Sequence, residues 1–300
     1  MSIPSSILWH TIARQIADAT GDPCQIGSHR GVGGGSINQA YQLITTSGRS
    51  YFVKCNQASQ VEMFEAEKAG LRELAQAQRI RIPAVICSGI VNDTAYLVLE
   101  YISLGSGNSQ TADRLGQQLA ELHRTSKPHY GWDRANTIGS TPQLNPWSED
   151  WISFYRDHRL GYQLRLARRQ GLGGSWIPML ERLMENLGSL FEDYTPKASL
   201  LHGDLWGGNW GADEAGDPVL FDPAVYYGDR ETDLAMTELF GGFPQDFYRS
   251  YHESYPLDPG YEKRKHLYQL YHLLNHLNLF GGSYLSSVQR SLEIGLSHLK

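Results

Sequence analysis

His202-Gly203-Asp204-Leu205-Trp206-Gly207-Gly208-Asn209 holds an aspartate and an asparagine five positions apart within one glycine-containing stretch. Phosphoryl transfer to an alcohol needs that spacing. The aspartate accepts the proton of the attacking hydroxyl, and the asparagine turns back to hold magnesium on the phosphates. Thirteen residues later Val219-Leu220-Phe221-Asp222 reads as an apolar strand that ends in a carboxylate. A rigid strand can deliver that carboxylate to the same metal. Either acid alone would read as an ordinary turn or strand end. In this order and spacing they point to one site, with Asp204 as base and Asn209 and Asp222 as magnesium ligands.

A phosphate clamp must then come from elsewhere in the chain. Tyr51-Phe52-Val53-Lys54 places a lysine near the end of a strand. The next helix, 61–78, offers Glu62, Glu65, Glu67 and Glu73, of which Glu67 sits best against the apolar register to hold that lysine. Upstream, the stretch 31–37 includes Gly33, Gly34, Gly35 and Ser36. Its glycines would let backbone N–H groups approach ATP phosphates, although a plain hairpin has the same composition. Glu100, Tyr101 and Ile102 end the last front strand, where a hinge would present backbone groups to adenine.

The elements follow from periodicity. Stretches 24–30, 38–45, 50–56, 83–90 and 94–102 alternate as strands. The segment 103–110 is small and polar and reads as a linker. Helical patterns occupy 111–126, with Thr111 as candidate N-cap, then 148–170, 176–193 and most of the chain from 230 onward. An opening helix carries Ile7, Leu8, Ile12 and Ile16 on one side. The fold class is therefore α+β and bilobal. A small β-rich N-terminal lobe spans 1–102, and a larger, mainly helical lobe spans 103–300.

Composition narrows the function. The chain has 300 residues, a net charge of −6 and a pI near 6.0, against a nucleic-acid partner that depends on clustered positive charge. Three scattered cysteines make no disulfide framework. The opening residues lack a secretory pattern, and no apolar run is long enough to span a membrane. The expectation is a cytoplasmic protein with no membrane partner, monomeric or weakly dimeric.

With the order complete, the chain resembles the aminoglycoside and choline phosphotransferase branch of the protein-kinase-like fold. More narrowly it is similar to the fructosamine (ketosamine) kinases. The stretches that carry the likeness are GGGSINQAY (33–41), MFEAEKAGL (63–71), GWDRANTIGSTPQLN (131–145), HGDLWGGN (202–209), FDPAVYYGDRETDLAM (221–236), LFGGFP (239–244) and LYQLYHLLNHLNLFGG (267–282). The resemblance implies ATP- and Mg2+-dependent phosphorylation of the 3-hydroxyl of ketoamines, free or on glycated protein lysines. The product is unstable, so the amine is regenerated. Ribulosamines and erythrulosamines are implied ahead of fructosamines. Trp206 is a candidate platform for the sugar adduct, or else a buried structural tryptophan. Tyr226, with Tyr227 beside it, could line the substrate cleft or simply pack. Relatives that carry a cysteine in the glycine loop can dimerise by oxidation; Ser36 stands there in this chain, so that switch is not expected.

Pro223-Ala224 follows Asp222, and no long activation segment intervenes before the helical pattern at 228–236. A small acceptor, or an adduct projecting from a surface, needs no such platform. Asp233 reads as a brace for the catalytic loop. His272 and His276, four apart, lack the neighbours of a zinc motif and read as core or face residues, like the aromatic stripe around them. Two other functions remain open: a kinase of another small alcohol such as an aminoglycoside or choline, and a pseudokinase that only binds nucleotide.

Overall fold

The computed structural model describes residues 6–33 and 37–299. Gly34, Gly35 and Ser36 lie outside the described residues. Helix α1 (Ser6–Thr20) precedes β1 (Ile26–Val32), β2 (Gln39–Thr45) and β3 (Ser50–Gln57). Helix α2 (Val61–Gln76), β4 (Val85–Val91) and β5 (Thr94–Glu100) complete the first layer pair. The strands form one antiparallel sheet in the order β1-β2-β3-β5-β4.

Strand alternation decides what each face of this sheet does. Tyr51, Val53 and Cys55 of β3, with Tyr96 and Val98 of β5, point to the face covered by Leu8, Trp9, Ile12 and Ile16 of α1. Trp9 takes the place expected of Ile7, which is exposed. Phe52 and Lys54 necessarily point the other way, toward α2 and the cleft. Because β3 lies between β2 and β5, Lys54 is buried rather than at a solvated edge.

The second lobe begins with α3 (Ser109–Arg124). Asn108 is its N-cap, accepting from the Thr111 N–H at 3.0 Å, while the Thr111 hydroxyl reaches back to the Asn108 N–H. The expected cap is thus the third helical residue, and the capping box starts the helix earlier than its apolar spacing implies. Strand β6 (Ser126–Lys127) and the hairpin of β7 (Asn136–Ile138) with β8 (Thr141–Gln143) follow. The expected helix 148–170 consists of α4 (Trp151–Tyr155), one π turn at Arg156–Leu160 and α5 (Gly161–Arg169). The one expected at 176–193 is the shorter α6 (Trp176–Glu185) with a 3₁₀ turn at Leu187–Leu190. Next come β9 (Ala198–Leu201), β10 (Trp210–Ala212), β11 (Pro218–Leu220) and β12 (Tyr226–Gly228). Four helices close the fold: α7 (Glu231–Thr237), α8 (Gln245–Ser254), α9 (Tyr261–Phe280) and α10 (Leu285–Ser297). Apolar faces of α2, α3, α6, α9 and α10 share one large core, with Trp151, Trp176, Tyr268 and Phe247 fully buried within it. The fold is thus α+β, with a β-sheet lobe and a helical lobe.

Candidate active site

The loop that carries Asp204 and Asn209 leaves β9 at Leu201 and returns into β10 at Trp210. Antiparallel pairing of Trp210 with Leu220 brings Asn209 beside Phe221 and Asp222, though they are distant in sequence. The loop is stitched to the segment after β11. The Ala224 N–H donates to the His202 carbonyl at 2.8 Å, and His202 Nε2 donates to the Phe221 carbonyl at 2.9 Å. Gly203 has φ +82°, and a Cβ there would overlap the Ala224 carbonyl oxygen, so only glycine suits.

Asp233, on α7, braces this turn from behind. Its carboxylate accepts the N–H groups of His202 at 2.7 Å and Gly203 at 2.9 Å. His123 on α3 contacts the same carboxylate at 3.2 Å, and its other ring nitrogen meets the Tyr251 hydroxyl. Asp233 is fully enclosed and does not line the cleft. Burial works against its charge, but these donors and the neighbouring histidines hold its pKa below the usual carboxylate value.

Asn209 Nδ2 donates to the Asp204 carbonyl at 2.8 Å, to Asp204 Oδ2 at 3.2 Å and to the Asp222 carbonyl at 3.4 Å. These bonds fix the amide so that Oδ1 is its remaining oxygen donor. Lys54 Nζ lies 2.6 Å from Glu67 Oε1 and 2.5 Å from Asp222 Oδ1, so it ties the sheet lobe to the helical lobe. Asp222 itself has φ +56°, a left-handed conformation uncommon outside glycine. The strain is held by the surrounding bonds and leaves the carboxylate half-exposed beside Lys54.

Electrostatics follow from crowding. Burial, and next the charge of Asp222, push the Asp204 carboxyl up to about 7, with the Asn209 hydrogen bond pulling the other way. Burial works against the charge of Lys54, but the carboxylates of Asp222 and Glu67 outweigh it and its pKa is raised. The acidic groups Glu67, Asp204 and Asp222 outnumber the one ammonium, Lys54. Asp222 and the Asn209 oxygen are hard oxygen donors, and among the described residues no group of three or more histidine, cysteine or acidic side chains could hold a metal. Two protein donors in an acidic cleft suit magnesium, which keeps waters and phosphate oxygens for its other positions.

Lys54, Glu67, Asp204, Asn209 and Asp222 face one cleft of about 820 Å³ between the lobes. Gly33, Lys54, Glu67, Glu100, Tyr101, Ile102, Asp204, Trp206, Asn209 and Asp222 all line it. The Glu100 carboxylate is directed elsewhere, to Arg81 at 2.5 Å and the Ala84 N–H at 3.1 Å. Its own N–H donates to the Ala84 carbonyl, so only its carbonyl is left for a ligand. Trp206 is 40% exposed and lies across Gly208, where a Cβ would overlap the indole, so it stands open at the cleft and is not a buried support.

Tyr226 needs correction. It is 2% exposed and absent from the cleft wall. Pairing of β12 with β9 turns its ring into the helical core, where the Arg159 guanidinium sits 4.1 Å from its centroid. Tyr227 is buried too and donates to Glu73 at 2.6 Å. The cleft is lined instead by Asn136 to Gly139 of the hairpin and by Phe240, Phe280 and Tyr284, which sequence reasoning passed over, and by His276, which it read as a core or face residue. His272 is buried, which agrees with the core alternative of its core-or-face reading, but the end of the stripe that begins at Tyr268 emerges into the cleft. A phenylalanine followed by Gly281-Gly282 was the available signal.

The sequence model of the fructosamine kinase family matches residues 8–298. The chain belongs to that family. Among curated family relatives, a probable ketoamine kinase of Synechocystis is 49% identical over 98% of both chains. A chloroplastic protein-ribulosamine 3-kinase of Arabidopsis thaliana is 43% identical over 93% of this chain and 86% of its own. A crystal structure from Haemophilus somnus assigned as a fructosamine-3-kinase superposes with a TM-score of 0.88 at 31% identity, covering 96% of this chain and 97% of that one. The bilobal kinase-like architecture is thus that of the fructosamine kinase family.

Proposed function

We propose that this protein uses ATP to phosphorylate the 3-hydroxyl of ketosamine adducts, with ribulosamines and erythrulosamines ahead of fructosamines. The observation that carries the reading is the convergence of Lys54, Asp204, Asn209 and Asp222 on one cleft. The family and the ketoamine and ribulosamine kinase relatives supply the substrate class.

In the reaction the substrate hydroxyl oxygen bonds to the γ-phosphorus of ATP. The bond from that phosphorus to the β–γ bridging oxygen breaks, and ADP leaves. Asp204 takes the hydroxyl proton. Lys54, steadied by Glu67, meets the phosphates, and the Gly33 backbone lies beside them. The Glu100 carbonyl and the backbone of Tyr101 and Ile102 face adenine. Asn209 and Asp222 would hold magnesium, which when bound neutralises phosphate charge. Trp206 offers its face to the sugar. Helix α7 begins at Glu231, nine positions after Asp222, so no platform for a folded protein substrate intervenes. Free or surface-bound adducts are accordingly the acceptors. Three unpaired cysteines suit a reducing, cytoplasmic setting.

The test is phosphate transfer from ATP to ribulosamine, erythrulosamine and fructosamine, against choline and kanamycin. Asp204→Asn is expected to lower turnover by roughly two to four orders of magnitude while nucleotide binding persists. Near-normal turnover in that variant, or faster turnover of choline or kanamycin, would reject the assignment.

A further inference from the structure

Four rings from three separate segments meet at one end of the cleft. Phe240 follows α7, His276 and Phe280 lie on the last turns of α9, and Tyr284 stands in the turn beyond. Ring centroids are 4.8 Å apart for Phe240 and His276, 5.0 Å for His276 and Tyr284, and 5.5 Å for His276 and Phe280. All four line the cavity that contains Asp204. Phe280 is 53% exposed, so its ring is not spent on the core.

Charge says what the surface can take. The acidic residues lining the cleft are Glu67, Glu100, Asp204 and Asp222. Glu67 pairs with Lys54, Glu100 pairs with Arg81, and Asp204 and Asp222 form the reacting centre. None belongs to the aromatic wall. A polycationic acceptor would need carboxylates there. An alkyl chain next to a single protonated amine needs only ring faces, which shield methylenes from water and attract one cation.

Resting on the ketosamine kinase reading, we infer that the wall of Phe240, His276, Phe280 and Tyr284 seats the alkyl chain of the amine that carries the sugar. The enzyme then selects an adduct by its amine as well as by its sugar. A lysine side chain, with four methylenes, is the occupant the wall suits. The sugar lies between this wall and the Asp204 carboxylate.

The experiment compares two ribulose adducts, of n-pentylamine and of methylamine, with the purified full chain. Wild type is expected to prefer the pentylamine adduct in kcat/KM by about tenfold. Phe280→Ala and Tyr284→Ala each bring that ratio toward one, mainly through KM for the longer adduct, and Phe280→Leu retains most of it. KM for ATP reports whether each variant is folded at the nucleotide end. An unchanged ratio in both alanine variants, or an equal loss on both adducts, overturns the wall while leaving the kinase reading intact. A wild type that binds ATP but phosphorylates neither adduct overturns the kinase reading, and the wall with it.

Discussion

Asp204 is held where a carboxylate is uncomfortable, and that discomfort has a kinetic consequence. Burial and the Asp222 charge push its carboxyl up to about 7, and only the ionised form accepts a proton. With Asp204 as the proposed base, activity is expected to fall as pH drops through that range. The kcat/KM profile is expected to show an acid limb near pH 7, tenfold per unit well below it. A profile flat from pH 6 to 8 would count against Asp204 as the base. The residues around it divide the remaining work. Asn209 spends its amide hydrogens on Asp204 and the backbone, leaving its oxygen for a metal. Asp233 never reaches the cleft, yet it holds two loop N–H groups and so sets where Asp204 stands.

Among the elements, the packing of α3 against α8 decides how firmly that brace is seated, because His123 and Tyr251 come from these helices. Gly116 lets them approach closely. A Cβ there would overlap the Phe247 carbonyl oxygen and lie 2.8 Å from the Tyr251 nitrogen. Both obstacles are backbone and cannot rotate away. Gly116→Ala is expected to destabilise the fold by about 3 kcal/mol, measured by urea unfolding. The β10–β11 hairpin plays the complementary part, since its register alone places Asn209 next to Asp222.

Across the whole molecule, Lys54 is the buried charge that joins the lobes. It lies within 2.6 Å of Glu67 in its own lobe and 2.5 Å of Asp222 in the other. Burial pushes the Glu67 carboxyl up, and Lys54 opposes that rise. Without the lysine the folded state would hold the Glu67 proton to higher pH than the unfolded chain does. Stability then falls as pH rises above the unfolded carboxylate range and through the raised folded value. Lys54→Met is expected to cost about 3–5 kcal/mol, with a loss that grows as pH rises above the unfolded carboxylate range in denaturant titrations. A loss independent of pH would mean that Glu67 is not the group left uncompensated.

Much of this was legible before any coordinates. The spacing of Asp204, Asn209 and Asp222 could be read because a loop and a strand end carry their geometry locally. Lys54 could be read because alternation along β3 fixes its side, and Glu67 because helical periodicity fixes its face. Tyr226 could not, because which face of β12 meets the core depends on its pairing with β9. Nor could the aromatic wall, whose members Phe240, His276 and Tyr284 meet only through the packing of α9 beside the end of α7. The sequence by itself determined which of Lys54, Glu67, Asp204, Asn209 and Asp222 to look for at one candidate site, since local periodicity and short spacing specify them. Only the tertiary structure decided which aromatic side chains are core and which line the cleft, because that follows from contacts between segments far apart in the chain.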